Sequence, residues 1–153
     1  MSTSRHAPVV LLVQQRNDDL DMYSEFLTLK GLTVVAVSSA AEALRAAPSA
    51  DIVVTAIVLD REMSGLELVA RLRADSQTKH TPIIVLTASA WRAEHDRARE
   101  AGCNLFLPKP CLPDDLLRHV RLLLAARKHD AKRRSTKADV DHRWDRQDRK
   151  RGA

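Results

Sequence analysis

Asp51–Val69 reads DIVVTAIVLDREMSGLELV, and two hydrophobic periods meet within it. Asp51–Val58 is an almost continuous apolar run, the pattern of a strand buried on both faces of a parallel sheet. Ser64-Gly65-Leu66-Glu67 then forms a capping box, in which a serine hydroxyl and a glutamate answer the free N–H groups of a helix start. Leu68, Val69 and Leu72 follow at the spacing of one buried helical stripe. A buried strand that feeds a helix through a short loop is the repeating half of a β-α-β unit.

The same alternation extends in both directions. Pro8–Val13 is a first apolar run, followed by a helix over Asp18–Lys30. Leu20, Tyr23 and Leu27 share one stripe of that helix, Met22, Phe26 and Leu29 lie beside it, and Gly31 stops it. Leu32–Val37 is the second strand, and Ser39-Ala-Ala-Glu42 caps a short helix that ends at Pro48. After the third unit, Pro82–Leu86 is the fourth strand and Ser89–Ala101 a charge-dense helix closed by Gly102. Asn104–Leu107 is the fifth strand, and Pro113 opens a last helix with Leu116, Leu117, Val120, Leu123 and Leu124 inward. Five such units predict an α/β fold: a flavodoxin-like, doubly wound, five-stranded parallel sheet in the order 2-1-3-4-5. Loops at the carboxyl ends of the strands line one crevice in such a sheet. The residues expected there are Gln14 and Gln15, Ala56, Thr87 and Lys109.

Composition narrows the function. The 153 residues suit one domain and a tail. Only 3% are aromatic, too few for a platform that stacks single-stranded nucleic acid. Two cysteines make neither a disulfide framework nor a zinc site. The opening residues carry no signal-peptide pattern, and the longest apolar stretch, Ala7–Val13, is too short to span a bilayer, so a cytoplasmic location is expected. Residues 1–127 balance 15 basic against 15 acidic side chains, whereas 128–153 carry ten basic and five acidic ones. The expected domain is therefore 8–127. The basic tail 128–153 has too little apolar surface to fold alone and reads as disordered or as a helical extension.

Three stretches bear a family resemblance: VVTAIVLDREMSGLELV (53–69), PIIVLTASA (82–90) and AGCNLFLPKPCLPDDLL (101–117). In order and spacing they resemble the receiver domain of two-component response regulators. The resemblance implies a phosphoryl-accepting aspartate at the end of the third strand and an acidic pair after the first strand that helps to hold Mg²⁺. It also implies a lysine and a hydroxyl that grip the phosphoryl oxygens. A carboxylate is the nucleophile there, and the hard dication neutralises phosphoryl charge.

This chain keeps the gripping residues, Thr87 and Lys109, without the reagents. Counting from Asp51 puts the acceptor position at Ala56; counting back from Gly65 puts it at Ile57. Neither has a nucleophilic oxygen. The acidic pair falls on Gln14 and Gln15, and the family's usual proline on Asp60. Asp60 reads as a solvated loop residue, and Asp18 and Asp19 as helix-dipole partners at the start of the first helix. No catalytic residue and no metal ligand is expected, so Mg²⁺ binding is predicted lost and the chain is not expected to be an enzyme. Lys109 is expected to form a network with the neutral amides of Gln14 and Gln15.

The function implied is a stand-alone pseudo-receiver in phosphorelay signal transduction. It would contact a sensor kinase, another regulator or its own copy, as a homodimer, without being phosphorylated. The expected interface is the face of the fourth helix, fifth strand and fifth helix, with Phe106 at the family's aromatic switch position and Trp91 at the start of the fourth helix. Cys103 reads as a small core residue and Cys111 as a loop residue. A second reading gives the tail, with its runs Lys132-Arg133-Arg134 and Arg149-Lys150-Arg151, a role in binding nucleic acid or an acidic partner. The interleaved aspartates and the lack of a recognition fold count against nucleic acid, and no membrane partner is expected.

Overall fold

The computed structural model describes residues 7–88 and 92–130. Trp91 and the two basic runs of the tail lie outside the described residues. The chain runs β1 (Val9–Val13), α1 (Asp18–Leu29), β2 (Thr33–Val37), α2 (Ala40–Ala46) with a 3-10 turn (Ala47–Ser49), β3 (Ile52–Thr55), α3 (Gly65–Ala74), β4 (Ile83–Thr87), α4 (Arg92–Ala101) and β5 (Leu105–Pro108). A last helix, α5, occupies 113–130 and so extends past 127. The strands form one parallel sheet in the order β2-β1-β3-β4-β5, as the alternation predicts.

Side chains alternate across each strand and build a core on either face of the sheet. Leu11, Val13, Val53, Ile83 and Val85 pack with α2, α3 and Ala98 of α4. Val10, Leu12, Ile52, Val54, Ile84 and Leu86 pack with Leu20, Tyr23 and Leu27 of α1 and with Leu116, Leu117 and Val120 of α5. Each such side chain removed from water contributes about 1.5–3 kcal/mol. Of the residues flanking the α1 stripe, Phe26 is partly buried, whereas Met22 and Leu29 are exposed. Cys103 is half-buried on the first core rather than enclosed by it, and burial pushes its thiol pKa up.

Helix starts follow the polar pattern. Ser39 accepts from the N–H of Glu42 and Ser64 from that of Glu67, both at 3.2 Å. Asn17 caps α1 by accepting from Leu20 N–H at 3.0 Å. Arg73, near the end of α3, is a clamp: it donates to the carbonyls of Gly102 (2.8 Å) and Thr81 (2.6 Å) and to Asn104 Oδ1 (2.7 Å). It thereby ties the α3–β4 connection to the α4–β5 turn.

The third strand is shorter than its apolar run. Pairing ends at Thr55; Ala56 N–H still reaches Val13 carbonyl at 3.0 Å, and the chain then turns away. Ile57 and Leu59 are buried from the loop, while Val58 is exposed. The turn depends on Gly65, whose N–H donates to Ile57 carbonyl at 2.6 Å. A Cβ at this position would overlap the Ala56 carbonyl oxygen. Gly65→Ala is therefore expected to lower the unfolding free energy by about 1–3 kcal/mol, measured by urea denaturation.

Candidate functional site

The carboxyl edge of the sheet brings Gln14, Ala56, Thr87 and Lys109 side by side, as the order of strands requires. Gln14 follows β1, with its N–H on Val37 carbonyl at 3.2 Å. Ala56 is the first residue past β3 and hydrogen-bonds the β1 strand end beside Gln14. This ladder contact makes Ala56, not Ile57, the residue beside Gln14. Thr87 ends β4 and is buried. Lys109 follows β5, and its N–H donates to Thr87 carbonyl at 2.7 Å.

Lys109 reaches across the crevice. Its Nζ donates to Gln14 Oε1 and to Asp19 Oδ2, each at 3.0 Å. Its side chain is 17% exposed, that of Asp19 48%. The ammonium lies 6.0 Å from the centre of the Tyr23 ring, within cation–π range. Tyr23 hydroxyl donates to Cys111 carbonyl at 2.6 Å, and burial, with smaller effects from Cys111 and Asp19, pushes its pKa up to about 12.

The expected network of Lys109 with two neutral amides is corrected in two ways. Gln15 does not join it: the residue is exposed, and its Nε2 donates weakly to Leu59 carbonyl at 3.4 Å. Consecutive residues leaving a strand point to opposite faces, so Gln14 and Gln15 diverge. Asp19 does join it, so the partner set is charged. A helical signal was available: Asp19 lies one turn before Tyr23 on the same stripe. Asp18, by contrast, stays exposed in the first turn of α1.

Asp60 is more than a solvated loop residue. Its carboxylate accepts from Ala40 N–H at the start of α2 (2.9 Å), from Met63 N–H (2.9 Å) and from Glu62 N–H (3.0 Å). These bonds, Ala40's first, hold its pKa below the usual 3.8. Phe106 is half-buried on β5 and stacks on His95 of α4, with ring centres 4.7 Å apart at 25°. His95 has a sequence signal too, lying three residues before the buried Ala98.

Comparison with known proteins agrees with this architecture. The family model described as response regulator receiver domain matches residues 10–121. The polar-differentiation response regulator DivK of Brucella ovis is 29% identical over 103 residues, covering 66% of this chain and 83% of that protein. The chemotaxis response regulator CheY4 of Vibrio cholerae superposes with a TM-score of 0.70 at 28% identity, over 76% of this chain and 98% of that one. The receiver domain of a sensor histidine kinase of Pseudomonas aeruginosa PAO1, solved with a magnesium ion coordinated in its active site cleft, gives 0.71 at 25% identity, over 78% and 98%.

Two stability measurements probe the site. Lys109→Met strands the buried Gln14 carbonyl and is expected to cost about 1–3 kcal/mol in urea unfolding. Asp19→Asn, at a half-exposed partner, is expected to cost less than about 1 kcal/mol. The second concerns Asp60, whose lowered folded pKa gives stability present above its unfolded value and lost as pH falls through the folded one. Wild type is therefore expected to lose stability more steeply than Asp60→Asn as pH drops below 3.8, read from melting curves across the acid range.

Proposed function

The chain belongs to the response regulator receiver domain family of two-component signalling, and from that premise we propose that it signals by protein contact without ever carrying a phosphoryl group. One observation carries this reading: the residue that leaves β3 beside Gln14 is Ala56, and Lys109 is already satisfied by Gln14 and Asp19. Aspartyl phosphorylation needs a carboxylate oxygen as nucleophile, and a methyl group supplies none. Asp60 is a poor substitute, because three backbone N–H groups hold its oxygens in the loop.

The reading extends to the metal. Mg²⁺ takes hard oxygen ligands in octahedral array, with carboxylates among them. Here the side-chain oxygen of Gln14 faces an ammonium at 3.0 Å, its other end is a donor, and Ala56 has no side-chain oxygen. These residues do not fit a divalent cation. Ammonium and amide N–H would repel it, and the half-exposed Asp19 is engaged by Lys109.

The remaining use of the fold is recognition, by a sensor kinase, another regulator or a second copy in the cytoplasm. The face of α4, β5 and α5 is the proposed surface. Phe106 is held there by its stack on His95, so the aromatic at the switch position is fixed by α4. Leu112 and Leu122 add exposed apolar surface at the start and on the outside of α5. A fixed Phe106 and a permanently paired Lys109 describe a receiver with one state to present.

Incubation with a small acyl phosphate and Mg²⁺, followed by intact-mass measurement, is expected to leave the mass unchanged. A labile gain of one phosphoryl group would sink the proposal.

A further inference from the structure

A cavity of about 320 Å³ opens at the amino edge of the sheet, at the opposite ends of the strands from Gln14 and Lys109. Its volume lies in the range of small-molecule sites. The connection from α3 to β4 lines it with Thr81 and Pro82, the residue before β5 is Asn104, and α5 supplies Leu123 and Arg127. Three of these residues carry donors without acceptors. Arg127 gives one N–H to Asp51 carbonyl at 2.6 Å and meets no carboxylate: among the described residues the ion pairs are Lys109–Asp19 and Arg118–Asp115. Asn104 turns its Oδ1 to Ile83 N–H at 2.8 Å and to Arg73 at 2.7 Å, which leaves its Nδ2 hydrogens over. Thr81 is 2% exposed, with its N–H on Thr78 carbonyl at 3.0 Å and its own carbonyl on Arg73 at 2.6 Å. The Thr81 hydroxyl has no hydrogen-bond partner among the described residues. A polar side chain so deeply buried and left over calls for an explanation.

The lining decides the class of ligand. Guanidinium, amide and hydroxyl hydrogens together ask for an oxyanion, and the planar fork of an arginine matches a carboxylate through two parallel hydrogen bonds. Arg73 adds positive charge behind Thr81 and Asn104, since its half-buried guanidinium is answered by uncharged oxygens. Asp130 and His80 are the other titratable groups of the lining. Asp130 forms no ion pair with Arg127, and its charge opposes a dianion more than a monoanion. Pro82 and Leu123 offer hydrocarbon, which suits a ligand with an apolar body and is wasted on an inorganic ion.

We propose that this cavity binds a small organic monocarboxylate, with the carboxylate on Arg127, Asn104 Nδ2 and the Thr81 hydroxyl, and the hydrocarbon part against Pro82 and Leu123. Arg127 already ties α5 to the residue before β3 through Asp51 carbonyl. The ligand extends that tie to the starts of β4 and β5. Every group in the site lies at the far ends of the strands from Ala56, so the site is independent of any phosphoryl chemistry.

Heteronuclear NMR titration of the isotope-labelled full chain tests this with hexanoate, its neutral amide hexanamide and inorganic phosphate, at constant pH and ionic strength. Hexanoate is expected to give saturable shifts at the amides of Thr81 and Asn104 and at the Arg127 side chain, with a Kd of about 1 mM or tighter. Hexanamide and phosphate at the same concentrations are expected to leave those signals in place. Thr81→Val, which keeps shape and charge, is expected to weaken hexanoate binding by about threefold or more, and Arg127→Met by about tenfold or more. Asp130→Asn is expected to tighten it severalfold. Melting curves establish that each variant is folded, and Thr81→Val carries the test if Arg127→Met, which also loses the tie to Asp51, does not fold. Equal binding of hexanamide or of phosphate overturns the carboxylate assignment. Absence of saturable shifts with hexanoate, or wild-type affinity in Thr81→Val, overturns the site.

Discussion

An ammonium withdrawn from water must be met by oxygen, because an unpaired buried charge is among the costliest features a fold can contain. Lys109 imposes that constraint on the carboxyl edge of this sheet. It leaves β5, three strand positions from β1, so about 14 Å of sheet separates its backbone from that of Gln14. In the family pattern a carboxylate on β3 shortens the reach. With Ala56 there, Lys109 extends over the middle of the sheet to Gln14 and on to Asp19 of α1. The charge is answered from the first helix rather than from the central strand.

That displacement has a structural consequence. Asp19 meets Lys109, the Lys109 ammonium lies over the Tyr23 ring, and Tyr23 hydroxyl donates to Cys111 carbonyl. Three contacts thus join one face of α1 to the loop between β5 and α5. Side-chain parity explains why they gather on this face. Gln14 continues the Val10–Leu12 series, and Lys109 the Leu105–Leu107 series, both of which pack toward α1 and α5. Thr87 and Phe106 continue the opposite series, toward α4. The charged contacts and the aromatic pair therefore occupy different sides of the sheet.

Much of the architecture was legible because burial on two faces forces near-continuous apolar runs, and five of those separated by helical stripes admit few topologies. The third strand shows the limit of that signal. Ala56, Ile57 and Val58 prolong the apolar run after pairing has stopped, and Ile57 is buried from a loop. Hydrophobicity reports removal from water, not the hydrogen-bond ladder. The residue beside Gln14 was legible to within one position, since the counts from Asp51 and from Gly65 differ by one. Asp19 was obscured for a different reason: a helix N-terminus accounts for an acidic residue by itself, and its place one turn before Tyr23 marks a shared face without naming a lysine ninety positions away. Asp60 was hidden likewise, since its three partners are backbone N–H groups with no sequence signature.

The site and the core are separable in this fold, which is why the site can change without loss of structure. Both hydrophobic clusters are built mainly by strand and helix residues, with Ile57 and Leu59 joining the first from the loop after β3, and of the crevice residues only Ala56 adds apolar surface to them. An edge selected for stability alone would be filled with hydrocarbon, because an apolar pair of similar shape avoids the desolvation that polar partners suffer. The edge is not filled in that way. Gln14, Thr55 and Thr87 are all buried polar residues at the ends of the three central strands. Thr55 satisfies itself on Ala56 carbonyl at 2.9 Å, but Gln14 keeps a donor with nothing to receive it. The edge thus keeps polar side chains at the ends of the three central strands, where the core itself requires none.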